Sequence, residues 1–213
     1  MTSLVLVRHG ETVHHAENRY TGISDIALTR RGHEQAERLG EWASAAGVTA
    51  VVSSPLTRAR LTAGPAVERT SASLQVEDRL REVDFGALDG LTAAEAGERY
   101  PDEWRAFSRD PVEGRFPGAE DPRDAAARAQ TALLEVAERH AGGRVLVVAH
   151  STLLRLTLCR LLGLPLSAYR RVFPMLRNCA LNEVRLGGGT FSLLSLNVPV
   201  ELLALAAQKE AGA

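Results

Sequence analysis

Short apolar runs alternate with longer amphipathic stretches along this chain. Residues 3–7, Ala50–Ser53 and Arg144–Ala149 are rich in Val, Leu and Ala, which predicts buried β-strands. Each run is followed by a stretch whose apolar residues recur at helical spacing. This order of strand and helix is typical of a mainly parallel sheet, so the pattern predicts an α/β fold.

Four helices are predicted around these strands. The first begins at the N-cap Thr29 and ends at Gly47. Pro55 precedes the second, as expected near a helix start. The other three helices are predicted over residues 56–69, 121–140 and 152–162.

Two further features complete the predicted architecture. Residues 180–186 and 191–196 read as strands separated by a run of three glycines, which predicts an antiparallel hairpin at the sheet edge. Residues 92–122 break the pattern with Pro and Gly and place aromatic side chains among charges. We interpret them as a small cap inserted into one domain that spans residues 1–213.

Composition narrows the range of functions. The chain has 25 basic and 26 acidic residues among 213, and the basic ones are scattered, so a nucleic-acid partner is not expected. No apolar run reaches the length of a signal-peptide core or a membrane span, so we expect a cytoplasmic protein without a membrane partner. Cys159 and Cys179 lie in apolar patterns and are predicted to be buried thiols.

Charged and titratable side chains mark the ends of the predicted strands. Arg8 and His9 follow the first strand, Arg58 opens the helix after the second, and His150 follows the third. Because ligands of parallel sheets bind outside the carboxyl ends of the strands, we expect these groups to meet in one crevice. Two arginines, two histidines and nearby helix N-termini suit a phosphate group.

Four sequence blocks carry a resemblance to a known family. In order, they are LVRHGET, SSPLTRARLTA, LREVDFGALDG and VVAHSTLLR. They resemble the motifs of the histidine phosphatase superfamily, in its phosphoglycerate mutase-like branch, and the likeness extends from Leu4 to about Asn197. The resemblance implies a three-layer α/β/α sandwich.

The resemblance also implies a catalytic mechanism. His9 would attack phosphorus and carry the phosphoryl group as phosphohistidine. Arg8, Arg58 and His150 would bind the phosphoryl oxygens, and Glu82 in the third block would act as general acid and base. Neither a metal nor an organic cofactor is then expected.

Additional substrate contacts are implied near the catalytic group. His15 occupies a position where family members often carry an asparagine that contacts phosphate. Thr21 and Gly22 match positions that approach substrate, and Ser151 is expected to make a secondary contact. A metal site at the adjacent histidines is disfavoured, because neighbouring side chains project differently and no metal-hydrolase spacing accompanies them.

The blocks fit both a phosphatase and a phosphoglycerate mutase. Between Glu82 and His150 the chain has fewer residues than the glycolytic mutases and lacks their adjacent arginine pair, which favours hydrolysis of a small phosphorylated metabolite. A non-catalytic protein that binds a phosphorylated ligand is disfavoured, since all five catalytic groups are present. Oligomeric state stays open, with a homodimer through an exposed sheet edge suggested by analogy alone.

The predicted cap carries charged and aromatic side chains of its own. Its arginines are expected to be solvated, and its aromatic residues are expected to fix the cap to the core rather than to bind substrate. These residues are Arg105, Arg109, Arg115, Trp104, Phe107 and Phe116.

Overall fold

A computed structural model describes residues 1–200 of the chain. Its centre is a six-stranded sheet in the order β3-β2-β4-β1-β5-β6. The strands are β1 (Thr2–Arg8), β2 (Ala50–Ser53), β3 (Leu74–Val76), β4 (Arg144–Ala149), β5 (Leu181–Gly187) and β6 (Thr190–Val198).

The first four strands are parallel and the last two are not. β4 pairs in parallel with β1 and β2, and β2 pairs in parallel with β3. β5 pairs antiparallel with β1, and β6 continues it as an antiparallel hairpin. The predicted α/β class, with a mainly parallel sheet and an antiparallel edge, is therefore confirmed. β3 was not predicted from the sequence.

Helices cover both faces of the sheet. They are α1 (Arg30–Ala45), α2 (Thr57–Thr70), α3 (Ala93–Arg99), α4 (Pro101–Arg109), α5 (Pro122–Arg139), α6 (Ser151–Leu161) and α7 (Tyr169–Val172). None of the helices within residues 1–200 combines the length and the apolar character needed to span a membrane.

The alternation of side chains along β1 divides the core in two. Leu4 and Leu6 are buried on one face against α5 and α6, whereas Val5 and Val7 are buried on the other face against α1 and α2. Every one of these strand residues is fully buried, so helices protect the sheet from both sides. This arrangement is the predicted three-layer α/β/α sandwich.

The predicted N-cap of the first helix is confirmed, and a second helix is capped by a residue that was predicted only as its start. The hydroxyl of Thr29 accepts a hydrogen bond from the backbone N–H of Gly32 and begins α1. Asp121 caps α5 in the same way, with Pro122 at the first helical position. Both Cys159 and Cys179 are buried, as predicted.

The predicted cap segment contains α3 and α4. A capping box formed by Thr92 and Glu95 begins α3. Phe107 and Phe116 are buried in the core cluster on the α5 side of the sheet, with ring centroids 5.5 Å apart in an edge-to-face arrangement. These rings hold the segment against the body of the protein.

Candidate active site

The carboxyl ends of β1, β2 and β4 lie side by side and bring three polar side chains together. The ring centroids of His9 and His150 are 5.2 Å apart. The hydroxyl oxygen of Ser54, just after β2, lies 2.7 Å from Nε2 of His150. Arg58, in the first turn of α2, is fully buried, and its charge acts on both rings. The structure thus assembles the predicted strand-end groups in one place.

The backbone holds His9 in one tautomer. Nδ1 lies 2.8 Å from the carbonyl oxygen of Gly10, and because a carbonyl can only accept, Nδ1 carries the ring proton. Nε2 therefore keeps its lone pair. Burial lowers the pKa of His9 well below its ordinary value, and the charges of Arg58 and Arg8 lower it further. At pH 7, His9 is a neutral imidazole with a nucleophilic nitrogen.

The loop that carries His9 is fixed by close packing. A Cβ on Gly10 would lie 2.6 Å from the carbonyl oxygen of Gly32 in α1, so a side chain cannot fit there. The amide N–H of Gly10 donates to Oγ1 of Thr62 at 2.9 Å. Nδ2 of Asn178 donates to the carbonyl oxygen of His9 at 2.7 Å. These contacts leave the backbone around His9 little freedom to move.

Arg8 is oriented by a carbonyl and by His15. Its Nη1 donates to the carbonyl oxygen of Leu176 at 3.0 Å, and its Nη2 lies 2.6 Å from Nε2 of His15. A guanidinium only donates, so Nε2 of His15 accepts this hydrogen bond. Nδ1 of His15 faces Thr12, 3.0 Å from its amide nitrogen and 2.9 Å from its Oγ1. Burial and the Arg8 charge lower the pKa of His15 to about 4, while burial lowers that of Arg8 to about 10. At pH 7 the pair is a cation and a neutral acceptor.

Two loop carbonyls orient Arg58. Its Nη1 donates to the carbonyl oxygen of Ser24 and its Nη2 to that of Gly22, both at 2.7 Å. The carboxylate of Asp89 holds this loop in turn, accepting from the amide of Gly22 at 2.8 Å and from the hydroxyl of Ser24 at 2.7 Å. A Cβ on Gly22 would lie 2.9 Å from the carbonyl oxygen of Val83. Gly22 therefore acts on the site through Arg58 in this structure, and its direct contact with substrate stays a prediction.

His150 is the N-cap residue of α6 and is fully buried. Among residues 1–200, the only hydrogen-bond partner of its ring is the hydroxyl of Ser54, which also accepts from the backbone N–H of Leu56 at 3.3 Å. Burial lowers the pKa of His150 well below its ordinary value, and the charge of Arg58 lowers it further. Like His9, this ring is neutral at pH 7.

Nitrogen atoms of three residues near His9 are buried and have no hydrogen-bond partner within residues 1–200. They are Nε of Arg8, Nε of Arg58 and Nδ1 of His150. Nearly all buried polar atoms of folded proteins are hydrogen-bonded, so three exceptions around one ring require an explanation. A tetrahedral oxyanion offers several strong acceptor atoms and would satisfy such donors. The cluster has the chemistry of a phosphate-binding site.

Glu82 is a buried carboxyl group at the N-terminus of α6. Oε1 accepts from the backbone N–H groups of Val83 at 2.9 Å and Leu153 at 2.8 Å, and Oε2 accepts from that of Thr152 at 3.0 Å. Burial raises the pKa of Glu82 and outweighs these three hydrogen bonds, which favour the charged form. Glu82 therefore retains its proton to higher pH than an ordinary glutamate, as a general acid requires.

A cavity of about 420 Å³ opens over these groups. Arg58 and His150 are buried beneath it and do not line it. No group of three or more His, Cys, Asp or Glu residues within 1–200 has the geometry of a metal site. The predicted site residues on the wall of the cavity are Arg8, His9, His15, Thr21, Glu82 and Ser151.

The cap residues lie largely away from this cavity. Arg105 and Arg115 are exposed and pair with Asp102 and Asp121, at 2.6 and 2.9 Å. Arg109 is also exposed. The expectation that these arginines are solvated is confirmed. Trp104 and Phe107 pack edge-on or tilted against Tyr20 and each other, as expected for side chains that fix the cap.

Two residues that shape the site were not predicted from the sequence. Asp89 orients the loop around Arg58, and Asn178 holds the backbone of His9. Asp89 lies inside the block LREVDFGALDG, and Asn178 lies within the stretch from Leu4 to about Asn197 over which the family resemblance extends, so the resemblance was the available signal. The contacts they make depend on segments far apart in sequence.

Fold and site together define an α/β protein with a buried cluster of histidine and arginine side chains at the carboxyl ends of its parallel strands. A profile of the histidine phosphatase superfamily (branch 1) matches residues 4–199. The chain belongs to this superfamily, and the resemblance of its motifs is thereby confirmed.

Known proteins of two kinds are similar to this chain. The "Probable phosphoglycerate mutase GpmB" of Salmonella paratyphi B is 37% identical over 189 residues, covering 86% of this chain and 85% of the relative. The solved structure of Bacillus stearothermophilus YhfR is 29% identical, with a TM-score of 0.87 over 93% of this chain and 98% of that one. The mycobacterial glucosyl-3-phosphoglycerate phosphatase is 28% identical, with a TM-score of 0.83 over 92% of this chain and 98% of that one.

Proposed function

We propose that this protein is a phosphomonoesterase that hydrolyses a small phosphorylated metabolite through a phosphohistidine intermediate on His9. The observation that carries the proposal is a set of buried nitrogens of Arg8, Arg58 and His150 that have no hydrogen-bond partner within residues 1–200. They surround the neutral imidazole of His9, whose Nε2 keeps its lone pair. The similarity to a structure named as a phosphatase supports hydrolysis.

In the first step, Nε2 of His9 attacks phosphorus and forms the N–P bond while the P–O bond to the leaving alcohol breaks. Glu82 gives its proton to the departing oxygen, so the product leaves as a neutral alcohol and Glu82 becomes a carboxylate. Arg8 and Arg58 supply positive charge to the phosphoryl oxygens as the loose transition state develops.

In the second step, water attacks the phosphohistidine. The Glu82 carboxylate takes a proton from this water, the O–P bond forms, and the N–P bond breaks to return neutral His9. Inorganic phosphate leaves and Glu82 is again protonated. The cycle needs no metal, because two arginines provide the charge.

The hydroxyl of Ser54 sets the tautomer of His150 in this mechanism. If its O–H donates to Nε2 across the 2.7 Å contact, the ring proton of the neutral imidazole lies on Nδ1, the atom that is buried without a partner. Nδ1–H then donates to a phosphoryl oxygen. Ser54 can still accept from the backbone N–H of Leu56.

Phosphoglycerate mutase activity is the second candidate. The similarity to the Salmonella relative, which is named as a probable phosphoglycerate mutase, favours it. In a mutase, a second hydroxyl of the bound product replaces water in the second step. Incubation with 3-phosphoglycerate separates the candidates: a phosphatase releases inorganic phosphate, whereas a mutase forms 2-phosphoglycerate and releases little phosphate.

The mechanism is tested with 4-nitrophenyl phosphate in the presence of a chelator. We expect the wild-type protein to release phosphate and His9→Ala to lose this activity, while His33→Ala, an exposed histidine on α1, serves as the matched control. Rapid acid-free quenching with a ³²P-labelled substrate should trap an acid-labile, base-stable phosphoenzyme in the wild type only. Activity that survives in His9→Ala, or that disappears with the chelator, contradicts the proposal.

A further inference from the structure

Arg155 shares the cavity with the catalytic groups but has no part in the mechanism above. It lies on α6, beyond Ser151 and Thr152, and lines the same wall as Arg8 and His9. Its side chain is half-buried. Together with Arg8 and Arg19, it is one of three guanidinium groups on the cavity wall.

The orientation of Arg155 is fixed by contacts on one side only. Its Nε donates to the carbonyl oxygen of Phe173 at 2.6 Å, and its guanidinium carbon lies 4.7 Å from the centroid of the Tyr169 ring. Within residues 1–200, Nη1 and Nη2 have no hydrogen-bond partner, and no carboxylate forms an ion pair with Arg155. Nη1 and Nη2 of Arg155 are therefore held in place and available to bind an anion.

In the part of the chain that the structure describes, the acidic groups around the cavity do not form an ion pair that would compensate the positive charge of Arg155. Arg19, also on the wall, forms ion pairs with Glu17 and Glu95 at 2.6 and 2.8 Å. The acid of the cavity, Glu82, has a raised pKa and three backbone donors. The planar fork of a guanidinium matches the oxygens of a carboxylate or a phosphate.

We propose that Arg155 binds a second anionic group of the substrate, a carboxylate or a further phosphate, at the end remote from the phosphoryl group that is transferred. The inference rests on the proposed function, because it places a substrate in this cavity. It narrows the substrate class to phosphomonoesters that carry a second oxyanion. Arg155 is then a specificity-determining residue.

The test uses substrates that differ at one group. The substrates are two- and three-carbon phosphomonoesters that carry a hydroxyl, a carboxylate or a second phosphate at the far end. The wild type should show a higher kcat/KM for the anionic members. Arg155→Gln should reduce kcat/KM for the preferred anionic member by about 10- to 100-fold, the range of a hydrogen bond to a charged group, with a much smaller loss for the hydroxyl member. Comparison of the carboxylate and phosphate sets identifies the anion.

Matched variants separate recognition from structure. Arg155→Lys keeps the charge and should retain part of the preference, whereas Arg160→Gln removes an exposed arginine from the same helix, away from the cavity, and should retain all of it. An equal loss on every substrate with a lowered Tm in Arg155→Gln assigns Arg155 a structural role and overturns the proposal. So does a wild type without preference for an anionic member.

Binding measurements keep this inference distinct from the proposed mechanism. Calorimetry of the same phosphomonoesters with His9→Ala needs no turnover, and adding Arg155→Gln should weaken binding of the anionic members by a similar factor. If the wild type hydrolyses none of these substrates but Arg155→Gln still weakens binding of the anionic members, the proposed function is wrong and the anion site is supported. If Arg155→Gln does not weaken binding of the anionic members, the proposed anion site is wrong, whether or not the protein is active.

Discussion

Replacing Glu82 by Gln tests whether this buried carboxyl supplies the proton that the leaving group needs. The amide has the same size but cannot act as an acid at neutral pH. A Gln oxygen in place of Oε1 can keep the hydrogen bonds from Val83 and Leu153, whereas the amide nitrogen in place of Oε2 opposes the N–H of Thr152. The substitution therefore removes the proton and one of three anchoring bonds.

The expected effects on catalysis and stability differ in size. General acid catalysis contributes about 10²- to 10⁴-fold, equal to about 3–5 kcal/mol of the activation free energy. The lost hydrogen bond and the opposed donors cost about 1–3 kcal/mol of the free energy of unfolding. Thermal unfolding of Glu82→Gln measures the loss of stability separately. The activity assays are then run at temperatures at which the variant is folded.

The assay compares two leaving groups. An alkyl phosphate expels an alkoxide, which must be protonated as the bond breaks, whereas 4-nitrophenyl phosphate expels a stabilised anion. Because kcat/KM reports steps up to formation of the phosphohistidine, Glu82→Gln should lose about 10²-fold or more on the alkyl ester and far less on the aryl ester. Equal losses on both esters refute the role of Glu82 as general acid.

Three further outcomes follow from the same geometry. The wild-type kcat/KM should fall as pH rises through the raised pKa of Glu82, since the acid form is consumed, and a pH profile of Glu82→Gln should lack this limb. His15→Ala removes the acceptor that orients Arg8 and should weaken inhibition by inorganic phosphate about tenfold, whereas His15→Asn, which restores an acceptor, should recover part of the loss. Asp89→Ala frees the loop carbonyls around Arg58 and should raise KM for 4-nitrophenyl phosphate about tenfold; an unchanged KM would show that the loop holds its place without Asp89.

Some strands of this sheet are easier to predict from their sequences than others. β4 (Arg144–Ala149) was predicted with its observed bounds, because a run of Val, Leu and Ala lies between Gly143 and the N-cap residue His150. β3 (Leu74–Val76) has only three residues, with Gln75 at its centre, and its side chains are partly exposed at the sheet edge. So short and mixed a segment has no periodicity from which a strand can be inferred.

The positions of the site residues were predictable, but their partners were not. Parallel strands share one carboxyl edge, so the places of His9 and His150 follow from the order of strands and helices. The hydrogen bond from Gly22 to Asp89 joins positions 67 residues apart, and that from Asn178 to His9 joins positions 169 residues apart. Such contacts arise from tertiary packing, which no local pattern encodes.

The positioning contacts explain how cations can be buried at the end of a strand without an anion beside them. Arg58 gives its Nη donors to loop carbonyls, and Arg8 gives its own to a carbonyl and to His15, so most of each guanidinium is satisfied by the protein. Only one nitrogen of each is left without a partner. In these two arginines, the unpaired donors are therefore limited to the Nε atoms, which the proposed phosphoryl group would engage. The remaining donors hold the two guanidinium groups in place, so their charges are preorganised, which is the condition for strong electrostatic stabilisation of a transition state.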